Sequence, residues 1–202
     1  LYHLKYKYNP ETILSHSFFQ SHTADFYEFY QDKIVHPTLT AKPNAAHYKL
    51  AELEQAGKLT AVVTQNIDGL HQMAGSKNVL ELHGSIHRNY CASCGKKYPL
   101  DAVSQADGIP RCQCGGIIRP DVVLYEESLD DRVIAKTIQA ISEADLLIVG
   151  GTSLTVYPAA SFLDFYQGDR LVVINLDDTS YHSKAALTIN GKIGEVLSQI
   201  TV

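Results

Sequence analysis

The chain has 202 residues, enough for one good core or one domain with a small satellite, and too few for two full-sized domains. With 45% hydrophobic and 19% charged residues it has the composition of a globular protein, and 17 basic against 22 acidic residues leave a net charge of −5, which argues against direct nucleic-acid binding. No apolar run approaches the roughly 20 residues of a membrane span and no signal-peptide pattern opens the sequence, so no membrane partner and a cytoplasmic location are expected.

Two helices are expected first, Pro10 to Gln20 behind the cap Asn9, and Thr23 to Val35. A third is expected from Pro43 to Ala56, closed by Gly57. The texture then changes. Leu59 to Thr64 is a short β-branched run with an apolar centre, as in a strand buried on both faces of a parallel sheet. Similar runs follow at Val79 to Leu82, Leu146 to Val149 and Leu171 to Ile174, with a helical stretch from about Pro158 to Tyr166 between the last two. Lys192 to Ile200 reads as a terminal helix. Strand, helix, strand with buried strands predicts an α/β fold with a doubly wound sheet. In such sheets ligands gather at the carboxyl ends of the strands, and the polar motifs here follow strands: Gln65-Asn66-Ile67-Asp68-Gly69, Gly150-Gly151-Thr152-Ser153, and Asn175.

All four cysteines fall within 24 residues, spaced C-x2-C, then 17 residues, then C-x-C: Cys91, Cys94, Cys112 and Cys114. Two close pairs can form two edges of a tetrahedron, and four thiolates suit a closed structural Zn2+ site. A redox pair or unligated thiols are the alternatives, and a nucleic-acid-binding zinc ribbon is a further reading, since the stretch from Ile86 to Pro120 carries a local charge of about +3. The window, residues 89–118, is poor in periodicity and reads as a zinc-binding module inserted into a larger domain, residues 1–88 and 119–202, with the helical segment 10–56 belonging either to that domain or in part to the small one. Three other features carry possible chemistry. The run of amides and a carboxylate at 65–68 suits ribose hydroxyls and a carboxamide, or merely a capped turn. His83, after a strand and before Gly84, offers a titratable imidazole, or is structural like most histidines. Gly150 to Ser153 offers open amides and hydroxyls for phosphate or ribose, or is turn chemistry alone.

Taken in order, these motifs resemble the sirtuin family. The matching residues are Thr64-Gln65-Asn66-Ile67-Asp68-Gly69-Leu70-His71, Ala74-Gly75-Ser76, Glu81-Leu82-His83-Gly84-Ser85, the four cysteines, Ile118 to Val123, Gly151-Thr152-Ser153-Leu154, Val156 with Pro158-Ala159, and Ile174-Asn175. The resemblance implies a Rossmann-like parallel sheet with helices on both faces plus a small zinc-binding domain. It implies a protein-lysine deacylase that uses NAD as co-substrate and acts on acetyl-lysine proteins or peptides. In that family the acyl oxygen attacks the ribose carbon bearing nicotinamide, a base then activates a ribose hydroxyl, and water releases free lysine and O-acyl-ADP-ribose.

By the same resemblance His83 is the base, a role suited to an imidazole of unperturbed pKa about 6.5, with Asn66 and Asp68 completing the catalytic set. Asn66 orients the ribose and a water, Gln65 contacts the ribose, and Ile67 with Asp68 holds the carboxamide. Gly151, Thr152 and Ser153 line the phosphates; Asn175, Leu176, Lys192 and Ile193 sit by the adenosine; and Val123, Leu124 and Tyr125 form an edge that pairs with the substrate peptide. The family opens with a strand and glycine-rich loop that match nothing in the sequence read from Leu1. Glu126 stands where many members have glycine. Members that remove acidic acyl groups carry Tyr-x-x-Arg; Tyr30 and Lys33 correspond, and a lysine lacks the bidentate fork, so acetyl is expected. The competing readings are a protein ADP-ribosyltransferase and a non-catalytic zinc-stabilised binding module.

Overall fold

The computed structural model describes residues 7–152, 157–176 and 184–202. These form two compact units: one from the described part of Leu1–Ala41 with Asn66–Gly69 and His83–Leu129, the other from Lys42–Gln65, Leu70–Leu82 and the described part of Asp130–Val202. The cysteine window therefore belongs to a unit much larger than itself.

In the first unit the stretch expected as one helix is two, α1 (Pro10–Ile13) and α2 (His16–Ser21). The break has a local and a distant cause. Ser15 caps α2, its Oγ accepting from Phe18 N–H at 3.2 Å, and its neighbours are drawn into an isolated bridge with Tyr125. The next helix, α3 (Thr23–Tyr30), passes through a π-helical turn (Gln31–Val35) into α4 (His36–Thr40), beyond the expected end at Val35. Pro37 stops nothing because it lies in the first turn of α4, where its missing N–H costs little.

Against these helices lies an antiparallel sheet in the order β4 (Lys97–Tyr98), β3 (Gly84–Cys91), β5 (Ile118–Val122). Its core is strongly aromatic: Phe18, Phe19, Phe26, Tyr27, Phe29 and Tyr30 cluster with Ile86, Ile118 and Leu124. Tyr27 is fully buried yet satisfied, its hydroxyl donating to Ile118 C=O at 2.6 Å. A short helix, α7 (Asp101–Ser104), anchors the cysteine window to the same core through Val103.

The second unit holds the parallel strands. Helix α5 (Ala45–Gln55) starts at Asn44, which forms a reciprocal cap with His47. Strand β1 (Val62–Thr64) pairs in parallel with β2 (Val79–Glu81), joined through α6 (Leu70–Ala74). Helix α8 (Asp131–Ser142) leads to β6 (Leu147–Gly150), which pairs in parallel with β7 (Leu171–Asn175), itself parallel to β8 (Leu187–Asn190). A 3-10 helix (Ala159–Phe165) and the terminal α9 (Ile193–Leu197) complete it. The one parallel sheet expected is present as two ladders, β1-β2 and β6-β7-β8. Among the described residues β1 and β6 each pair along one edge only, which is why the ladders do not merge. No described helix is long and apolar enough to cross a membrane.

Candidate active site

In the first unit, two of the expected catalytic segments are built onto β3. The chain leaves β2 at Glu81, turns through Leu82-His83 and enters β3 at Gly84. The turn is held from below by backbone, Val123 N–H donating to His83 C=O at 3.0 Å. Gly84 is required by geometry: its φ is +78°, and a Cβ there would collide with the Asp121 carbonyl oxygen on β5. His83 itself is half-buried.

The segment Asn66–Gly69 docks on the same strand. Ile86 N–H donates to Ile67 C=O at 3.1 Å, and His87 Nε2 donates to Asp68 C=O at 2.9 Å. Ile67 packs on the aromatic core. Gly69, at φ +73°, leaves room for the His87 ring, which a Cβ would approach to 2.7 Å. Asn66 remains exposed while Ile67 and Asp68 are half-buried. Asn66, Ile67, Asp68 and His83 are thus carried by one strand.

Beyond β5 the expected substrate edge is tied into its own unit. Tyr125 N–H donates to Leu14 C=O and its C=O accepts from His16 N–H, both at 3.0 Å. Leu124 N–H donates to a Glu127 carboxylate oxygen at 2.9 Å, and Leu124 C=O accepts from Glu127 N–H. Sequence reasoning missed the group that organises this loop, Glu127. Arg119 grips its carboxylate with two bonds of 2.9 and 3.0 Å, and His16 Nδ1 adds a third at 2.7 Å. Arg119 is in turn stacked against Phe19 and Tyr90. Burial alone would raise the Glu127 carboxyl, but Arg119, the Leu124 amide and His16 outweigh it and hold it at about 2.

The sign of the resulting pH dependence is fixed. A carboxyl depressed from 4.5 to about 2 adds stability that is complete above pH 4.5 and lost as pH falls towards about 2. Melting curves of the wild type and Glu127→Gln are therefore expected to differ most above pH 4.5 and to converge through that window. Parallel curves would mean that the carboxylate charge does not hold the loop.

Tyr30 and Lys33 do not form an acid-binding pair: Tyr30 is sealed in the aromatic core and Lys33 pairs with Asp32 at 3.0 Å.

The four cysteines come together as expected. Cys91 and Cys94 flank a tight turn after β3, in which Gly95 N–H donates to Cys91 C=O; Cys112 and Cys114 flank another, in which Gly115 N–H donates to Cys112 C=O. No disulfide joins them. All four sulfurs lie within 4.8 Å of one another, with Cys91 to Cys114 at 3.5 Å and Cys94 to Cys112 at 3.7 Å. Tetrahedral thiolates about 2.3 Å from one ion stand about 3.8 Å apart, so the cluster has the dimensions to hold a metal. Tyr98 donates its hydroxyl to Cys112 Sγ at 3.0 Å, a contact to the ligand set that spacing alone could not reveal.

In the second unit the expected cofactor residues gather at the carboxyl ends of β6, β7 and β8. Gly151, at φ +65°, turns the chain off β6 and donates its N–H to Ile174 C=O at 3.2 Å. Asn175 Nδ2 donates to Thr152 C=O at 3.1 Å, and Asn175 C=O accepts from Gly191 N–H. Lys192 begins α9 and Ile193 packs on Gly150, where a Cβ would collide with the Ile193 side chain. Ile193 thus supports the strand end. Leu176 is exposed and Gln65 half-buried. Ser153 lies outside the described residues.

The sequence profile of the Sir2 family matches residues 2–158. A protein of Clostridium acetobutylicum named an NAD-dependent protein deacetylase is 58% identical over 197 residues, covering 96% of this chain and 80% of its own length. Among solved structures, a Sir2 protein bound to acetylated peptide superposes with a TM-score of 0.87 at 41% identity, covering 95% of this chain and 82% of that one. A Sir2 complex with p53 peptide and NAD+ gives 0.85 at 40%, covering 94% and 82%. The chain belongs to the Sir2 family.

Proposed function

We propose that this protein is an NAD-dependent protein-lysine deacetylase, converting acetyl-lysine and NAD into free lysine, nicotinamide and O-acetyl-ADP-ribose. The observation that carries the reading is the mounting of Asn66–Gly69 and the His83 turn on one strand, β3, in a chain whose relatives include a named NAD-dependent protein deacetylase and a Sir2 complex with peptide and NAD+.

The residues divide the work by chemistry. His83 takes the proton from a ribose hydroxyl, work to which the chemistry of an imidazole is suited. Asn66, exposed at the start of the Asn66–Gly69 segment, orients the ribose and the water that completes the reaction; Asp68 and Ile67 hold the nicotinamide carboxamide, and Gln65 contacts the ribose. Gly151, Thr152 and Ser153 receive the phosphates, while Asn175, Leu176, Lys192 and Ile193 flank the adenosine.

The substrate peptide adds as a strand along residues 123–126. Leu124 and Tyr125 have already committed both backbone groups and Val123 its N–H, so the pairing falls to Val123 C=O and to the backbone of Glu126. The four cysteines hold a structural zinc ion. Their sulfur spacing supports this, and four thiolates fill a tetrahedral shell without leaving a position for a catalytic water.

The deciding measurement is mass spectrometry of an acetyl-lysine peptide incubated with the full-length protein, with and without NAD. Free lysine together with O-acetyl-ADP-ribose, formed only with NAD, is expected. ADP-ribose attached to protein while the peptide stays acetylated would install the transferase reading, and no NAD consumption would leave a zinc-stabilised binding module.

A further inference from the structure

Glu126 is the one non-glycine among the described residues with a positive φ, +75°. Side chains are rarely held there, and such a position is strained unless its surroundings impose it. Here they do. The Glu126 carboxylate folds back onto α2, accepting from Ser17 N–H and from Ser17 Oγ, both at 2.9 Å. The preceding residue is pinned to the same helix start, Tyr125 bonding Leu14 and His16 through both backbone groups. The following residue, Glu127, is gripped by Arg119 and His16.

Among the described residues the backbone N–H and C=O of Glu126 find no partner, and the residue is exposed. Beside it opens a hollow of about 340 Å3, lined by Thr12, Ser15, Ser17, Phe18, Tyr125 and Glu126 among others. A strained turn residue, clamped on both sides and through its own side chain, thus presents an unpaired backbone N–H and C=O next to open space.

We propose that Glu126 is a positioning residue for the peptide substrate: its grip on Ser17 holds the left-handed turn in the conformation that offers this backbone edge. The inference rests on the reading that the peptide pairs along residues 123–126. Glycine at 126 accepts the same φ without strain but also samples many others, so the edge must be ordered anew each time a peptide binds.

The test separates stability from binding. Glu126→Gly removes the strain and is expected to leave the melting temperature equal or higher. Its KM for an acetyl-lysine peptide is expected to rise about fivefold or more, because the ordering cost moves into binding, with kcat and the KM for NAD little changed. Glu126→Gln, whose amide can still accept from Ser17 N–H, is expected to restore most of the peptide KM. A peptide KM for Glu126→Gly within about twofold of wild type, or a loss that simply follows a lowered melting temperature, overturns the proposal. Hydrogen exchange of the wild-type chain isolates the underlying reading. Protection of the Glu126 amide by peptide supports the edge, and no protection refutes the edge and the positioning role together. Protection with an unchanged KM in Glu126→Gly refutes the positioning role alone.

Discussion

Replacing His83 by alanine is expected to cut deacetylation by at least 10²- to 10⁴-fold, the usual contribution of a positioned general base, while leaving metal content and melting temperature close to wild type. The fold should tolerate the change because the bond that fixes the turn, from Val123 N–H to His83 C=O, is backbone and survives the substitution. The strand start also stays in place, since its close approach to β5 depends on Gly84 and not on the imidazole. In the proposed reaction nicotinamide leaves before the base acts. Exchange of labelled nicotinamide into NAD should therefore persist in the variant when acetylated peptide is present. Steady-state turnover, the exchange assay and a melting curve together check the expectation. Loss of metal or a large drop in melting temperature would instead make His83 a structural residue, and undiminished turnover would remove it from the chemistry.

The opposite pattern is expected for the cysteines. Cys91→Ser or Cys112→Ser should abolish stoichiometric zinc and loosen the unit that carries it, with activity lost as a consequence. Metal binding in small zinc modules contributes on the order of 10 kcal/mol, comparable with the roughly 5 to 15 kcal/mol net stability of a whole domain. Both residues are buried and belong to the same core cluster as the aromatic helices, so the damage should spread beyond the window. Elemental analysis and thermal melting of the variants, with a chelator and zinc add-back on the wild type, provide the check. A zinc-free protein that melts and turns over normally would mean the four thiols do not hold a structural ion.

The parts of this fold that were legible in the sequence are those whose cause is local. The β-branched runs gave β1, β6 and β7, because a strand buried on both faces must be apolar throughout. The cysteine spacing announced a cluster that does assemble. Helix α8 carries a readable local signal as well: Asp130 as cap, then Val133, Thr137 and Ile141 on one face. Other features have causes that lie far away in the chain. The break between α1 and α2 reflects the bridge from Ser15 to Tyr125, and β3 is a polar strand, Gly-Ser-Ile-His-Arg-Asn-Tyr-Cys, that forms because β5 returns beside it. Nor could any local rule assign a left-handed turn to a glutamate. At the site, the motif residues were identifiable through their family resemblance, whereas Glu127, Arg119, His16 and Tyr98 emerge only when their partners are seen.

The β3-β5 ladder has a register irregularity between Ser85 and Asn89. On one side of it Gly84 faces Val122 and Ser85 faces Asp121; on the other, Asn89 faces Pro120, Tyr90 faces Arg119 and Cys91 faces Ile118. The irregularity interrupts the ladder, so the two residue pairs behind His83 are held to β5 separately from the three pairs that lead to the cysteine turns. Tolerance to change should accordingly be graded along a single strand pair. Inserted residues at the exposed Asp107-Gly108 bend lengthen a loop and leave the ladder alone, whereas a single residue inserted between Gly84 and Ser85 sets the Gly84–Val122 and Ser85–Asp121 pairs out of register with each other.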